Sequence, residues 1–398
     1  MGTVKHNYRL PAIKGGPPVR DRLLPYGHQQ VEPEDIQCVT EVLRSDWLTT
    51  GPKVDEFEEA FAAYVGAKHA VSVSSGTAAL HAAVFAAGLE AGDEAITTPI
   101  TFAATANCLL YQGATPVFAD VSVDTLNLDA ERVAAQLTPR TKAILPMDYA
   151  GHPADLDRLL EHGLTVIEDA CHALGAQYHG RQVGSISHMT AFSFHPVKHI
   201  TTGEGGMVVT NNDRLAERLR LFRNHGITND ARQRQNAGTW YYEMVALGFN
   251  YRLPDIACAL GFSQLGRLDA NLARRRQIAK RYSEAFTRSP VITVPSIRPD
   301  VEPAWHLYPI RVSEACDRGE FFASLRAENI GVNVHYIPVH LHPYYCARFG
   351  YRGGEFPVAE KAYTQLISLP MFHSMTDRDV EDVIEAVLKV SDDLTCEP

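Results

Sequence analysis

Apolar residues recur along this chain in two rhythms, and the way the rhythms alternate predicts its architecture. Val54, Phe57, Phe61, Tyr64 and Val65 fall at helical spacing, so residues 54–65 are expected to form an amphipathic helix. Apolar runs of strand length follow at 70–74, 95–98, 116–121, 143–147, 165–167, 189–194 and 206–210. Segments of helical length and composition separate several of them, including 77–89 and 126–136. Strands that alternate with helices predict an α/β fold: a mostly parallel central sheet flanked by helices, with its ligand site at the carboxyl ends of the strands.

The texture changes near Gly266. A charged helical stretch over 267–288 leads into Pro-punctuated strands and a closing helix. In that helix Val380, Val383, Ile384, Val387 and Leu388 make one apolar face, and Thr376 with Asp379 has the spacing of a capping box. The first 25 residues, rich in Pro and Gly, read as an irregular arm. The expected organisation is an N-terminal arm over 1–25, a large domain over 26–265 and a smaller C-terminal α+β domain over 266–398. A chain of 398 residues has apolar material for two such cores.

Composition narrows the function classes. With 37 basic and 47 acidic residues the formal charge is -10, which offers nothing electrostatic to nucleic acid or an anionic membrane. Any phosphate must be held by local groups. No apolar run approaches the ~20 residues that span a bilayer, and the first 20 residues carry Pro, Lys and Gly where a signal peptide is apolar. Seven scattered cysteines, at 38, 108, 171, 258, 316, 346 and 396, lack the density of a secreted disulfide scaffold. A cytoplasmic protein with reduced thiols is the expectation.

The candidate chemistry centres on Lys198, within Ser193-Phe194-His195-Pro196-Val197-Lys198 and just before the Gly-rich turn Gly203-Glu204-Gly205-Gly206. Upstream, Asp169 closes the apolar run Val166-Ile167-Glu168, where an isolated buried carboxylate needs a cationic partner. A lysine amine for a Schiff base and a carboxylate for a protonated pyridine nitrogen are what pyridoxal phosphate requires. Ser75-Gly76-Thr77 adds a strand-to-helix turn whose amides suit a phosphate. Taken singly, each has a plainer reading. The turn is an ordinary capped helix start, Asp169 a helix N-cap before Ala170, His172 a locally satisfied histidine, Phe102 a core residue, and Ser193 a satisfied hydroxyl. In combination the cofactor reading prevails. His335, His340 and His342 lie close together but fit no metal motif, so no metal is expected. Glu204-Gly205-Gly206 lacks the further glycine of a dinucleotide fingerprint, which disfavours a nicotinamide enzyme.

Several segments in order resemble the fold-type I pyridoxal phosphate aminotransferases of nucleotide-linked keto sugars, the DegT/DnrJ/EryC1/StrS family. They are Leu48-Thr49-Thr50-Gly51-Pro52, Ser75-Gly76-Thr77-Ala78-Ala79-Leu80, Glu168-Asp169-Ala170, Ser193-Phe194 with Lys198, Gly203-Glu204-Gly205-Gly206 and Gly248-Phe249-Asn250-Tyr251-Arg252. The resemblance implies that Lys198 is the Schiff-base lysine and Asp169 the partner of the ring nitrogen. It further implies that Phe102 stacks on the ring, and that Gly76, Thr77 and Ser193 hold the phosphate. Asn250 then reaches the cofactor of a neighbouring subunit, which implies a homodimer with shared active sites. His172 stands where many relatives have Gln, facing the cofactor's phenolic oxygen. Relatives that dehydrate sugars have histidine where this chain has Lys198.

Within the family, the run Ile96-Thr97-Thr98-Pro99-Ile100-Thr101-Phe102-Ala103-Ala104-Thr105-Ala106-Asn107 and the segments Asp148-Tyr149-Ala150-Gly151, His172-Ala173-Leu174-Gly175, His306-Leu307-Tyr308-Pro309 and Val334-His335-Tyr336-Ile337-Pro338 are most similar to members acting in pseudaminic acid biosynthesis. Those members move an amino group from L-glutamate to C4 of a UDP-linked 4-keto-6-deoxy-N-acetylhexosamine. The resemblance assigns sugar-nucleotide contacts to Tyr26, to Asp46, Trp47, Leu48 and Thr49, to Gly76, and to His335, Tyr336, Ile337 and Pro338. The alternatives are another nucleotide-sugar C4 aminotransferase, such as a perosamine-type enzyme, and a member that binds the cofactor without turnover.

Overall fold

A computed structural model of the chain describes residues 10–395. Seven strands build the central sheet: β1 His69–Val73, β2 Glu94–Thr97, β3 Thr115–Phe118, β4 Thr141–Leu145, β5 Thr165–Asp169, β6 Met189–Ser193 and β7 Gly206–Thr210. Their order across the sheet is β1-β7-β6-β5-β4-β2-β3. Neighbours pair in parallel except along β7, which runs antiparallel to both β1 and β6. The mostly parallel α/β sheet expected from the alternating runs is therefore what forms.

Each face of the sheet is covered, as buried parallel strands require. On one face the helix Gly76–Ala87 packs with Leu109, Leu219 and Phe222 against Val71, Ile167, Ala191 and Val208. On the other, Phe57 and Phe61 of the helix Pro52–Val65 meet Phe192, Phe194, Met207 and Val209. A third cluster lies in the C-terminal part, where the helices Leu268–Phe286 and Asp377–Thr395 pack on a three-stranded antiparallel sheet. That sheet comprises β8 Ile292–Thr293, β9 Tyr308–Val312 and β10 Leu366–Leu369. Leu24, from the arm, joins this cluster.

The capping box at the closing helix is present: Thr376 N donates to Asp379 Oδ2 at 2.9 Å and Asp379 N to Thr376 Oγ1 at 3.1 Å. One helix is shorter than its composition suggests. Residues 126–136 contain only Ala130–Ala135, because Leu126 adopts a left-handed φ of 61° and Asp129, accepting from Glu131 N, caps the helix there. No helix among the described residues is long and apolar enough to cross a membrane. The described cysteines, Cys38, Cys108, Cys171, Cys258, Cys316 and Cys346, are free thiols.

Candidate active site

The strand topology gathers the candidate residues at one edge. Asp169 ends β5 and Ser193 ends β6, Ser75 and Gly76 follow β1, and Gly206 opens the antiparallel β7, so all meet at the same side of the sheet. A cavity of about 510 Å³ opens there. Gly76, Thr77, Phe102, Asp169, His172, Ser193, Lys198, Tyr26, His335 and Tyr336 all line it. Its volume lies in the range of small-molecule sites, roughly 300–1,000 Å³.

Asp169 is almost wholly buried. Thr105 Oγ1 donates to its Oδ2 at 2.6 Å and the amide of Cys171 to its Oδ1 at 3.1 Å. No helix begins at Ala170, so the N-cap reading of Asp169 fails. Lys198 faces the same cavity, close enough for its charge and that of Asp169 to interact. Burial pulls the Lys198 amine below its ordinary pKa; Cys171 and Asp169 act against that, and Arg275 adds to it.

The helix Gly76–Ala87 presents its first amides to the cavity, while Ser75 Oγ accepts from Ala78 N at 3.1 Å. Gly76 has no room for a side chain: a Cβ would lie 2.8 Å from Ser193 Cβ and 3.3 Å from Cys171 Sγ. Gly206 is constrained equally, since a Cβ there would reach 2.4 Å from Ser75 O. These glycines keep a cradle open beside a helix N-terminus, where orphan amides and the helix dipole favour an anion. A cradle for a phosphate, a buried carboxylate without an ion-pair partner among the described residues, and a lysine in the same cavity fit pyridoxal phosphate.

Histidines form the cavity's far wall. His306 Nε2 lies 3.4 Å from Lys198 Nζ, and its ring centroid is 4.3 Å from that of His172. His172 Nε2 meets the Tyr336 hydroxyl at 2.9 Å. Burial, with Lys198 next, holds both His172 and His306 well below the ordinary histidine range, so both rings are neutral at physiological pH. Burial also lowers His335 to about 4, with Lys198 adding to the effect. His335 Nδ1 contacts Ser368 Oγ at 2.9 Å, and its ring leans against Tyr26 at 5.4 Å. Tyr336 is pushed far above its ordinary pKa, first by burial.

The remaining candidates are less enclosed or lie outside the cavity. Phe102 is 59% exposed, with its ring 6.1 Å from that of Tyr336. Asp46, Trp47, Leu48 and Thr49 occupy the loop before the helix Pro52–Val65 and do not line the cavity. Ile337 and Pro338 do not line it either. Asn250 is exposed and does not line the cavity. His340 stands apart with Glu360 at 3.0 Å and Glu355 nearby; the Glu360 oxygens already accept the amides of Gly354 and Phe356. His306, Thr105 and Asn333 reach the site without having been singled out from sequence, since each comes from a segment remote from Lys198. Two segments carried a signal: His306-Leu307-Tyr308-Pro309 for His306, and the run from Ile96 to Asn107 for Thr105.

Fold and site together define a pyridoxal phosphate-dependent aminotransferase. The chain matches the DegT/DnrJ/EryC1/StrS aminotransferase family over residues 29–388 and belongs to it. It is 48% identical over 377 residues to the Bacillus subtilis spore coat polysaccharide biosynthesis protein SpsC, covering 92% of this chain and 97% of that one. Among solved structures it superposes on Helicobacter pylori PseC, an aminotransferase involved in the biosynthesis of pseudoaminic acid. That match has a TM-score of 0.87 and 34% identity, over 94% of this chain and 100% of that one. Spr1654 of Streptococcus pneumoniae in its PMP form superposes with a TM-score of 0.89 and 32% identity, over 93% and 100%. Its PLP form gives 0.88 and 31%, over 94% and 99%.

Proposed function

We propose that this enzyme transfers the amino group of L-glutamate to C4 of a UDP-linked 4-keto-6-deoxy-N-acetylhexosamine. The products would be UDP-4-amino-4,6-dideoxy-N-acetyl-β-L-altrosamine and 2-oxoglutarate. The observation that carries the reading is Lys198 and Asp169 facing one cavity beside the Gly76 cradle. The likeness to PseC supports the substrate class.

When bound, pyridoxal phosphate supplies an aldehyde that carries the amino group and a cationic ring that takes up electrons from the adjacent carbon. The amides of Gly76 and Thr77 and the hydroxyl of Ser193 bind the phosphate. Asp169 keeps the ring nitrogen protonated, an ion pair strengthened by its dry surroundings. Phe102 and His172, which line the same cavity, would flank the ring. Lys198 Nζ takes a proton from the amino donor's Cα and later returns one to the sugar's C4. A burial-lowered pKa leaves more of that amine in the basic form a proton acceptor needs. Tyr26, His335 and Tyr336 shape the sugar-nucleotide side, with the loop 46–49, Ile337 and Pro338 completing it.

Asn250, exposed in its own subunit, completes the phosphate site of a second copy in a homodimer. In line with the sequence, the chain divides into an arm, a large domain over 26–265 and a small domain over 266–398. One hydrophobic cluster whose buried members, Leu24 apart, all come from 266–398 supports the division. Free thiols accord with a cytoplasmic enzyme.

A second reading has its own support. Identity to SpsC, at 48%, exceeds that to PseC, at 34%, which favours a different nucleotide-sugar C4 aminotransferase acting in polysaccharide synthesis. Purified enzyme with glutamate and a panel of UDP-, dTDP- and GDP-linked 4-keto-6-deoxy sugars separates the two. The first reading expects the UDP-N-acetylhexosamine to turn over fastest and NMR to show the altrosamine product. Preference for another keto sugar sinks it and leaves the second.

A further inference from the structure

Asp148 and Glu168 stand directly behind Asp169, and both are fully buried. Asp148 Oδ1 accepts the amide of Ala154 at 2.9 Å, and Glu168 Oε2 accepts the Thr190 hydroxyl at 2.8 Å. Their other oxygens, Asp148 Oδ2 and Glu168 Oε1, are buried and make no well-formed hydrogen bond among the described residues, although the Ser187 hydroxyl, itself buried, faces Glu168. The two carboxyl groups lie within hydrogen-bonding reach of each other. Among the described residues, the groups facing the pair are Asp169, Thr190, Ser187 and the Cys171 thiol, none of them a cation. Lys198 is turned toward Asp169 and Cys171.

Two ionised carboxylates in contact inside an apolar interior repel each other, and no cation here offsets that. A single proton removes the repulsion and gives both orphaned oxygens a partner. We propose that Asp148 and Glu168 share one proton between Oδ2 and Oε1, and that this bond positions Asp169 for the cofactor's ring nitrogen. Burial raises both groups, Asp148 well above the usual carboxylate range, so the proton stays at neutral pH.

The placement explains how the pair acts through its neighbour. The Asp148 amide donates to Asp169 O at 3.0 Å and the Asp169 amide to Pro146 O at 2.8 Å. Glu168 precedes Asp169 on β5 and is anchored by Thr190 on β6. The shared proton therefore ties the ends of β4, β5 and β6 together beneath the Asp169 carboxylate. Losing it at alkaline pH leaves two like charges in contact and opens that tie.

Asp148→Asn and Glu168→Gln each replace the shared proton by a permanent N–H, with size and the remaining single charge preserved. Urea unfolding of the holoenzyme is measured from about pH 6 to pH 8. One proton held only in the folded state shifts the unfolding equilibrium about tenfold toward unfolding per pH unit of rise. Each variant is expected to lose one proton's worth of that slope, and to keep its bound-cofactor absorbance to higher pH than wild type does. Wild-type and variant slopes that coincide overturn the proposal. Should a variant fail to fold, the infrared spectrum of wild-type holoenzyme at neutral pH decides: a protonated-carboxyl C=O band is expected, and its absence overturns the shared proton. The inference rests on the role of Asp169 proposed above. The unfolding slope reports the proton whether or not Asp169 meets the ring, so the two ideas fail separately.

Discussion

His306 Nε2 stands 3.4 Å from Lys198 Nζ, while its Nδ1 is buried with no partner among the described residues. Arg275, itself buried, donates to the carbonyls of Trp305 at 3.1 Å and Met371 at 3.0 Å, which fixes the turn carrying that imidazole. A neutral ring in that position accepts a hydrogen bond from the lysine and aims its lone pair. His306→Ala is expected to lower kcat about 10–100-fold, the scale of misorienting a reacting group and not of losing it, with little change in KM for the keto sugar. His306→Asn, which retains an acceptor, is expected to recover part of the loss. Equal effects on KM and kcat would contradict a positioning role.

Lys198→Ala removes the only lysine among the described residues that lines the cavity. Loss of a covalent and proton-transferring group costs at least ~10³-fold in turnover. Visible absorbance of the purified protein is expected to stop responding to glutamate. Wild-type turnover in the variant would refute the assignment.

Gly76→Ala places a methyl 2.8 Å from Ser193 Cβ, closer than packed atoms tolerate. Either the cradle widens or Ser193 moves away from the phosphate position. Cofactor affinity, followed by fluorescence during reconstitution of the apoenzyme, is expected to weaken at least ~10-fold, the scale of one lost charge-assisted hydrogen bond. Unchanged affinity would show that the cradle has slack.

Acid should destabilise the fold through its buried neutral histidines. The folded pKa of His335 is depressed to about 4, chiefly by burial, below the unfolded value near 6.5. Between those values the unfolded chain binds a proton that the folded chain does not, so stability falls as pH drops through that window. His335→Asn is expected to reduce the slope of unfolding free energy by about 1.4 kcal/mol per pH unit over that range. Superimposable slopes for wild type and variant would show that His335 titrates normally.

The arm is held by a buried ion pair. Glu328 accepts the amides of Ala12 and Val19, each at 2.8 Å, and pairs with Lys389 Nζ at 2.9 Å. Lys389→Met leaves the carboxylate without its cation, which costs about 3–5 kcal/mol for a buried pair. Urea midpoints measure the loss, and limited proteolysis should cut nearer the arm in the variant. A change under about 1 kcal/mol, typical of an exposed pair, would contradict the burial.

Much of the scaffold is legible in the chain because its signals are local. The strand runs, the helix after Gly76 and the Thr376–Asp379 box depend on residues a few positions apart, where spacing fixes which faces meet. Gly76, Asp169 and Lys198 are readable for the same reason, each sitting at a junction whose composition is unusual. The shortened helix at 130–135 was not, since the left-handed Leu126 is imposed by its surroundings and not by propensity.

Residue order alone determined that a lysine, an aspartate and a glycine turn are available to one cofactor. Tertiary structure decided which neutral groups surround them. The fold brings His306 to Lys198 across 108 positions, Thr105 to Asp169 across 64 and Tyr336 to His172 across 164. Such contacts leave no periodic trace, because folding in three dimensions and not spacing along the chain makes them neighbours. Burial then sets the protonation of each group by removing water, a quantity that exists only once the strands have closed around it.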